Sequence, residues 1–282
     1  MRKPVLTAAL AFAFLIGGLP WLVAPASATV PTPSRASTPT GAPAHVVIVV
    51  MENHSLSEVL PGATYLNGLA GQGVLYTHDT GKSHPSLPNY IDLYSGSTQG
   101  QDGNDNCVRL SVANLGTEAA AAHLSIKGYM EDLTGGGRYA CRHNPFAQFT
   151  DPISAHASHD FSQFPTNYAR LPRIAYVSPN VCNDWHDCPI ATGDTWLRTH
   201  MDGYAQWART HDSVLFVTTD ENNGSGLAEP VMTIAVGQGI AHSRQSAHVT
   251  HDSLLRTVED WFHLAHLKDT AAASPLPGLP RF

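Results

Sequence analysis

The chain is short of basic residues: 16 Lys and Arg stand against 23 Asp and Glu in 282 residues, for a formal net charge of −7. That balance argues against a nucleic-acid partner or an anionic membrane surface, both of which need clustered positive charge. Cysteine is scarce. The four, Cys107, Cys141, Cys182 and Cys188, include no Cys-x-x-Cys pair, which argues against a structural zinc site. Past residue 23 no apolar run is long enough to cross a bilayer, so no stable membrane anchor is expected. The sequence contains no internal repeat.

What is present begins with an export signal. Arg2 and Lys3 precede an uncharged apolar stretch from Val5 to Val23, and Ala26-Ser27-Ala28 follows as a small-residue cleavage site. Gly17, Gly18, Pro20 and Pro25 interrupt that stretch, which favours a cleaved signal peptide (1–28) over an anchor and predicts a secreted protein. Loss of Arg2 and Lys3 takes the formal charge from −7 to −9. Residues 29–44 are rich in Pro, Thr, Ser and Ala and read as a linker. Residues 45–268 suffice for one catalytic domain, and 269–282 resemble the linker and read as a flexible tail. An even cysteine count in an oxidising compartment suggests two disulfides. Of three possible pairings, Cys182–Cys188 closes a short loop and is favoured, with Cys107–Cys141 as the second.

The apolar pattern predicts a doubly wound α/β fold. His45 to Met51 and Ser213 to Thr219 are continuous β-branched runs, the pattern of strands buried on both faces of a parallel sheet. Shorter strands are expected at 73–77, 126–130, 173–178 and 231–236. Helices are expected at 63–70, 87–94, 113–124, 164–171, 194–209 (capped by Thr192 or Asp194) and 250–264. Alternating strands and helices give a mainly parallel sheet with helices on both faces, whose site lies beyond the carboxyl ends of the strands.

Chemistry-bearing residues follow those ends. Glu52-Asn53 and Asp220-Glu221 each come directly after a buried strand and offer hard oxygen ligands for a divalent cation. Either pair alone would serve equally to cap a helix. Both pairs on one sheet edge need a cation to offset their repulsion. Ser86 opens the 87–94 helix within Ser83-His84-Pro85-Ser86-Leu87-Pro88-Asn89-Tyr90, where free N–H groups favour an anion, and a bound cation would turn its hydroxyl into a nucleophile. A plain N-cap serine is the competing reading. His84 is placed to act as acid, base or phosphate donor. Asn104 and Asn106 offer amides to a phosphate oxygen. The segment from Asn180 to Cys188 crowds Asn180, Asn183, Asp184, His186 and Asp187 into one loop. Arg142-His143-Asn144-Pro145 could bind an anion, although it lacks the glycine and second arginine of histidine phosphatases. His251 begins the last helix, where a neutral imidazole is favoured.

Taken in order, these segments resemble the bacterial phosphoesterase family of acid phosphatases and phospholipases C, which has an alkaline-phosphatase-like fold. The matching pieces are Glu52-Asn53-His54-Ser55, His84 through Tyr90, Tyr129-Met130-Glu131-Asp132, Arg142 through Phe146, Pro179 through Asp187, Asp220-Glu221, and His251 with Leu254-Leu255-Arg256-Thr257. The resemblance implies Ser86 as nucleophile and one divalent cation, of unknown identity, held by Glu52, Asn53, Asp220, Glu221 and the Ser86 oxygen. It implies catalytic roles for His84, His186, His251, Asp184 and Asp187, and substrate contacts from Asn104, Asn106, Asn180 and His143. Dinuclear members carry Asp after the first strand and Asp-His after the later one; Glu-Asn and Asp-Glu here point to one cation. Sulfatases need an arginine where Tyr90 stands, which argues against that activity.

The expected function is a secreted phosphatase that hydrolyses small-molecule phosphate monoesters through a phosphoserine. A phospholipase C-like phosphodiesterase and a non-catalytic anion-binding protein are the alternatives. An aryl phosphate compared with its choline diester separates the first two, and turnover with chelator sensitivity separates both from the third.

Overall fold

A computed structural model of the protein describes residues 41–104, 107–224 and 226–282. The expected signal peptide, residues 29–40 of the expected linker and Asn106 lie outside the described residues.

The described residues form a nine-stranded sheet. Its strands are β1 (His45–Met51), β2 (Val74–Thr80), β3 (Ile126–Met130), β4 (Ser158–Asp160), β5 (Ile174–Ser178), β6 (Ser213–Thr219), β7 (Val231–Gly237), β8 (Ser243–Gln245) and β9 (Val249–Thr250). The order is β4-β3-β5-β1-β6-β7-β2-β8, with β9 beside β2. All pairings are parallel except those of β7, which runs against both β6 and β2. Two reversals restore direction, so β2 points the same way as β6. The carboxyl ends of β1, β2, β3, β5 and β6 therefore share one edge.

Strand side chains alternate between two cores, as the two-residue period requires. Val46, Ile48 and Val50 of β1 and Val214 and Phe216 of β6 pack with α3 (Ser86–Ser95), α4 (Leu115–Ala121) and α7 (His251–Phe262). Val47, Val49, Met51, Leu215 and Val217 pack on the opposite face with α1 (Leu56–Gly62), α2 (Thr64–Ala70) and α6 (Ile190–Ala208). Helix α5 (Pro152–Ala157) is capped by Asp151, which accepts from Ile153 N and Ser154 N. Cys107–Cys141 and Cys182–Cys188 are the two disulfides, as expected. No helix among the described residues is long and apolar enough to cross a membrane.

Three expectations need correction. In place of the helix expected at 164–171 there is a single 3-10 turn, Tyr168–Arg170, because Phe164 packs edge-on against Tyr129 and Tyr168 against Tyr204. Asp194 does not cap α6, which starts at Ile190; its carboxylate accepts from Tyr65 N and Leu66 N at 2.9 Å and caps α2 from across the core. Residues 269–282 are not free. Thr270 and Leu276 are buried, the Trp261 indole N–H donates to Pro280 O at 3.2 Å, and Phe282 packs edge-on against Trp261.

Candidate active site

Register places the first pair of carboxylates side by side. Met51 is opposite Thr219, so Glu52 and Asp220 are the first residues beyond adjacent strand tips. Asp220 N donates to Met51 O at 3.0 Å, and Asn53 N donates to Asp220 Oδ1 at 3.1 Å. Asn53 reaches that geometry with a left-handed backbone, φ 44°, which asparagine tolerates. Asn53 thus orients Asp220 through its main chain.

Ser86 is the first residue of α3, every residue of which is buried. Its hydroxyl lies 2.9 Å from Glu52 Oε2 and 2.8 Å from Glu221 Oε1. A serine has one proton and can donate to only one of two carboxylates. Glu52, Asp220 and Glu221 bring oxygens within 4.8 Å of one another, and all three are buried. Glu52 Oε1 and Asp220 Oδ2 find no hydrogen-bond partner among the described residues. Burial, then the neighbouring Asp220 and Asp184, push the Glu52 carboxyl well above its usual range; burial and Glu221 do the same to Asp220. Orphaned, crowded carboxylate oxygens around a hydroxyl are the donor set that a hard divalent cation fits.

The loop before Ser86 is pinned against this set. Asn89, one turn into α3, accepts from Lys82 N at 2.9 Å and Ser83 N at 3.1 Å, and its amide donates to Ser83 O at 2.8 Å. His84 Nδ1 contacts Glu221 Oε2, and His84 Nε2 has no hydrogen-bond partner among the described residues. Asn104, exposed at the mouth, accepts from Leu87 N at 3.4 Å.

A second group joins at Glu52. His143 Nε2 lies 3.0 Å from Glu52 Oε1 without hydrogen-bond alignment, and its Nδ1 lies 3.2 Å from Asp184 Oδ2. Burial first, then Arg142 and His186, hold the imidazole well below its ordinary pKa. Burial likewise raises Asp184. His143, expected to contact substrate, is instead walled in between two carboxylates with 2 % exposure. His186 stands beside it, ring centroids 5.8 Å apart, with Nδ1 held by exposed Asp187 Oδ1 at 2.7 Å.

Two expected residues do other work. Asn180 builds its loop rather than facing substrate: its amide oxygen accepts from Cys182 N and Asn183 N, and its amide nitrogen donates to Asp132 Oδ2. His251 is fully buried, with Nε2 3.1 Å from Thr219 O, and makes no hydrogen bond to Ser86, Glu52 or Glu221. Burial lowers its pKa to about 4, so the ring is neutral.

Sequence reasoning gave no role to Tyr90 and Trp185. Tyr90 is four residues after Ser86, hence on the same helix face, and stacks on His143 at 5.2 Å and 9°. Trp185 donates its indole N–H to the Glu52 carbonyl. The four-residue spacing could have revealed Tyr90; nothing local marks Trp185.

This sheet is found in solved enzymes. A protein of the alkaline phosphatase superfamily from Vibrio parahaemolyticus aligns at TM-score 0.58 and 11 % identity, over 84 % of this chain and 72 % of that one. The phosphonate monoester hydrolase of Agrobacterium radiobacter aligns at TM-score 0.54 and 13 % identity, over 84 % and 78 %. These likenesses establish the alkaline-phosphatase-like fold. The chain belongs to the phosphoesterase family, whose model matches residues 61–265. A phosphatidylinositol-3-phosphatase of Mycobacterium tuberculosis is 36 % identical over 245 residues, 83 % of this chain and 81 % of that protein. A phosphate-repressible acid phosphatase of Penicillium chrysogenum is 28 % identical over 76 % of this chain, which spans 54 % of the fungal protein. The protein is a hydrolase acting on phosphate esters.

Proposed function

We propose that the protein is a secreted, metal-dependent phosphomonoesterase that works through a phosphoserine on Ser86. The carrying observation is the Ser86 hydroxyl, 2.9 Å from Glu52 and 2.8 Å from Glu221 in a buried, acidic setting. The phosphatase names of its relatives support monoester chemistry, and the Mycobacterium tuberculosis relative supports a phosphorylated polyol head group as one substrate class. Two disulfides support export to an oxidising compartment.

Glu52, Asp220, Glu221 and Ser86 Oγ would hold the cation, and Asn53 would steady Asp220. A divalent cation held there would offset the carboxylate charge, lower the serine pKa and stabilise charge on the phosphoryl oxygens. Ser86 gives its proton to a neighbouring carboxylate as its oxygen forms a bond to phosphorus, and the bond from phosphorus to the leaving alcohol breaks. His84, held through Nδ1 by Glu221, presents Nε2 to protonate that alcohol. Water then attacks the phosphoserine, the Ser86 oxygen leaves phosphorus, and it regains a proton. Asn104, beside the start of α3, would donate its amide to the phosphoryl group.

The test is turnover of an aryl phosphate, of phosphatidylinositol 3-phosphate and of an aryl phosphocholine diester by the wild type and by Ser86→Ala. Monoester hydrolysis with a trapped phosphoserine on the wild type is expected. Retained turnover by folded Ser86→Ala would exclude the mechanism, and preference for the diester would exclude the monoester assignment.

A further inference from the structure

Lys82 lies four residues before Ser86, in the turn from β2 into α3, and its ammonium meets three carboxylates. Nζ is 3.2 Å from Asp92 Oδ1, 2.7 Å from Asp252 Oδ2 and 2.7 Å from Asp269 Oδ2. One ammonium is thus ion-paired with three carboxylates, and it donates a hydrogen bond to Asp269 Oδ2. Each acceptor comes from a different element: Asp92 from α3, Asp252 from the first turn of α7, and Asp269 from the C-terminal segment. We propose that Lys82 is the positioning residue of the nucleophile, a four-way tie that fixes the Ser86 hydroxyl against Glu52 and Glu221. This inference rests on Ser86 being the nucleophile.

Glu52 and Glu221 ride on the tips of β1 and β6, whereas Ser86 rides on α3. No main-chain hydrogen bond of the sheet joins the two. The Asn89 clamp fixes the loop to its own helix only. His84 joins that loop to Glu221 at the β6 tip, and among the described residues Lys82 joins it, through its side chain, to α7 and to the C-terminal segment. Asp92 is fully buried; burial and Asp252 raise its pKa, and the Lys82 ammonium opposes them. Burial pulls the Lys82 pKa down, but the three carboxylates outweigh it and keep the ammonium charged. A neutral residue at 82 would leave the acidic group facing itself, and the elements that carry it would part. The C-terminal segment is anchored for this role: Thr270 Oγ1 donates to Glu259 Oε2 at 2.7 Å, and Arg256 donates to Thr270 O at 3.1 Å and Ala273 O at 2.8 Å.

A tie that sets the attack geometry acts on kcat and leaves substrate binding nearly alone. Steady-state kinetics at 25 °C on an aryl phosphate, with melting curves of the same samples, test this in Lys82→Met, Lys82→Arg and Asp269→Asn, with Ser86→Ala as control. Folded Lys82→Met should lose about 10²-fold in kcat. Its KM should stay within about threefold of wild type. Lys82→Arg should recover most of that loss, since arginine keeps the charge. The Asp269 carboxylate is 60 % exposed, so Asp269→Asn is expected to fold normally and to lose several-fold in kcat without a change in melting temperature. Unchanged kcat in folded Lys82→Met, or an effect confined to KM, overturns the proposal. If Lys82→Met does not fold, Asp269→Asn decides, and wild-type kcat there overturns it. Turnover by Ser86→Ala would instead remove the underlying mechanism, which keeps the two failures apart.

Discussion

The main-chain carbonyl of Asp220 passes 2.9 Å from the point where a side chain on Gly81 would begin. The end of β2 therefore lies directly against the Asp220-Glu221 tip, and only a residue without Cβ permits that approach. Gly81→Ala should push residues 81–85 away from Glu221 and cost about 1–3 kcal/mol in stability. The displacement of Ser86 should reduce kcat about 10²-fold. Thermal denaturation and steady-state kinetics on one preparation check both values.

Chelation should abolish activity, and a single divalent cation species should restore it. Metal analysis should find one ion per chain. Asp220→Asn removes one carboxylate charge from the donor set and should weaken cation affinity at least about tenfold, by analogy with other losses around metal sites. Isothermal titration of the metal-free protein measures this directly. Full activity in exhaustively chelated, metal-free enzyme would refute a cation role for these oxygens.

The Cys182–Cys188 bridge spans six residues and encloses Asp184 and His186. Replacing both cysteines by serine should lower stability by about 2 kcal/mol, the loop-closure value for so short a ring. Asp184 would lose its fixed approach to His143, so activity should fall further than stability alone explains. Urea denaturation alongside kcat at low denaturant separates the two effects.

Asp79 supplies a pH dependence of folding remote from the chemistry. It is 1 % exposed, accepts from Thr233 Oγ1 at 2.6 Å, and burial pushes it up to about 7. The native state therefore keeps a proton that the unfolded chain releases near pH 4. This stabilisation is complete below that pH and is lost as pH rises through 7. Asp79→Asn mimics the protonated form and should flatten the fall in melting temperature between pH 5 and pH 8. The difference in stability at pH 8 should be on the order of 2–4 kcal/mol in favour of the variant. Parallel melting profiles that never converge toward low pH would contradict it.

Strands β1 and β6 are legible because continuous β-branched runs have no alternative in a two-faced sheet. The acidic tips were legible for the same reason, since each ends such a run. The shared edge required only that alternation of strands and helices be read as parallel pairing. The aromatic residues of 164–171 satisfy a helical period, while their partners, Tyr129 and Tyr204, lie on a distant strand and a distant helix. Asp194 was read as a local cap because a carboxylate near a helix start looks the same whichever helix it serves. Residues 269–282 looked free because proline and alanine dominate them, yet Leu276 and Phe282 suffice to dock a segment onto Trp261. Tyr90 is within reach of a spacing argument, whereas the contact from Trp185 to the Glu52 carbonyl joins residues 133 apart in sequence.

Glu52 and Asp220 leave neighbouring strands at matched positions, so the gap between their backbones is the interstrand repeat of about 4.8 Å. That dimension belongs to the peptide lattice and not to any adjustable surface segment. Loops at the mouth can lengthen, shorten or change composition to admit new alcohols while the width between these two anchors stays constant.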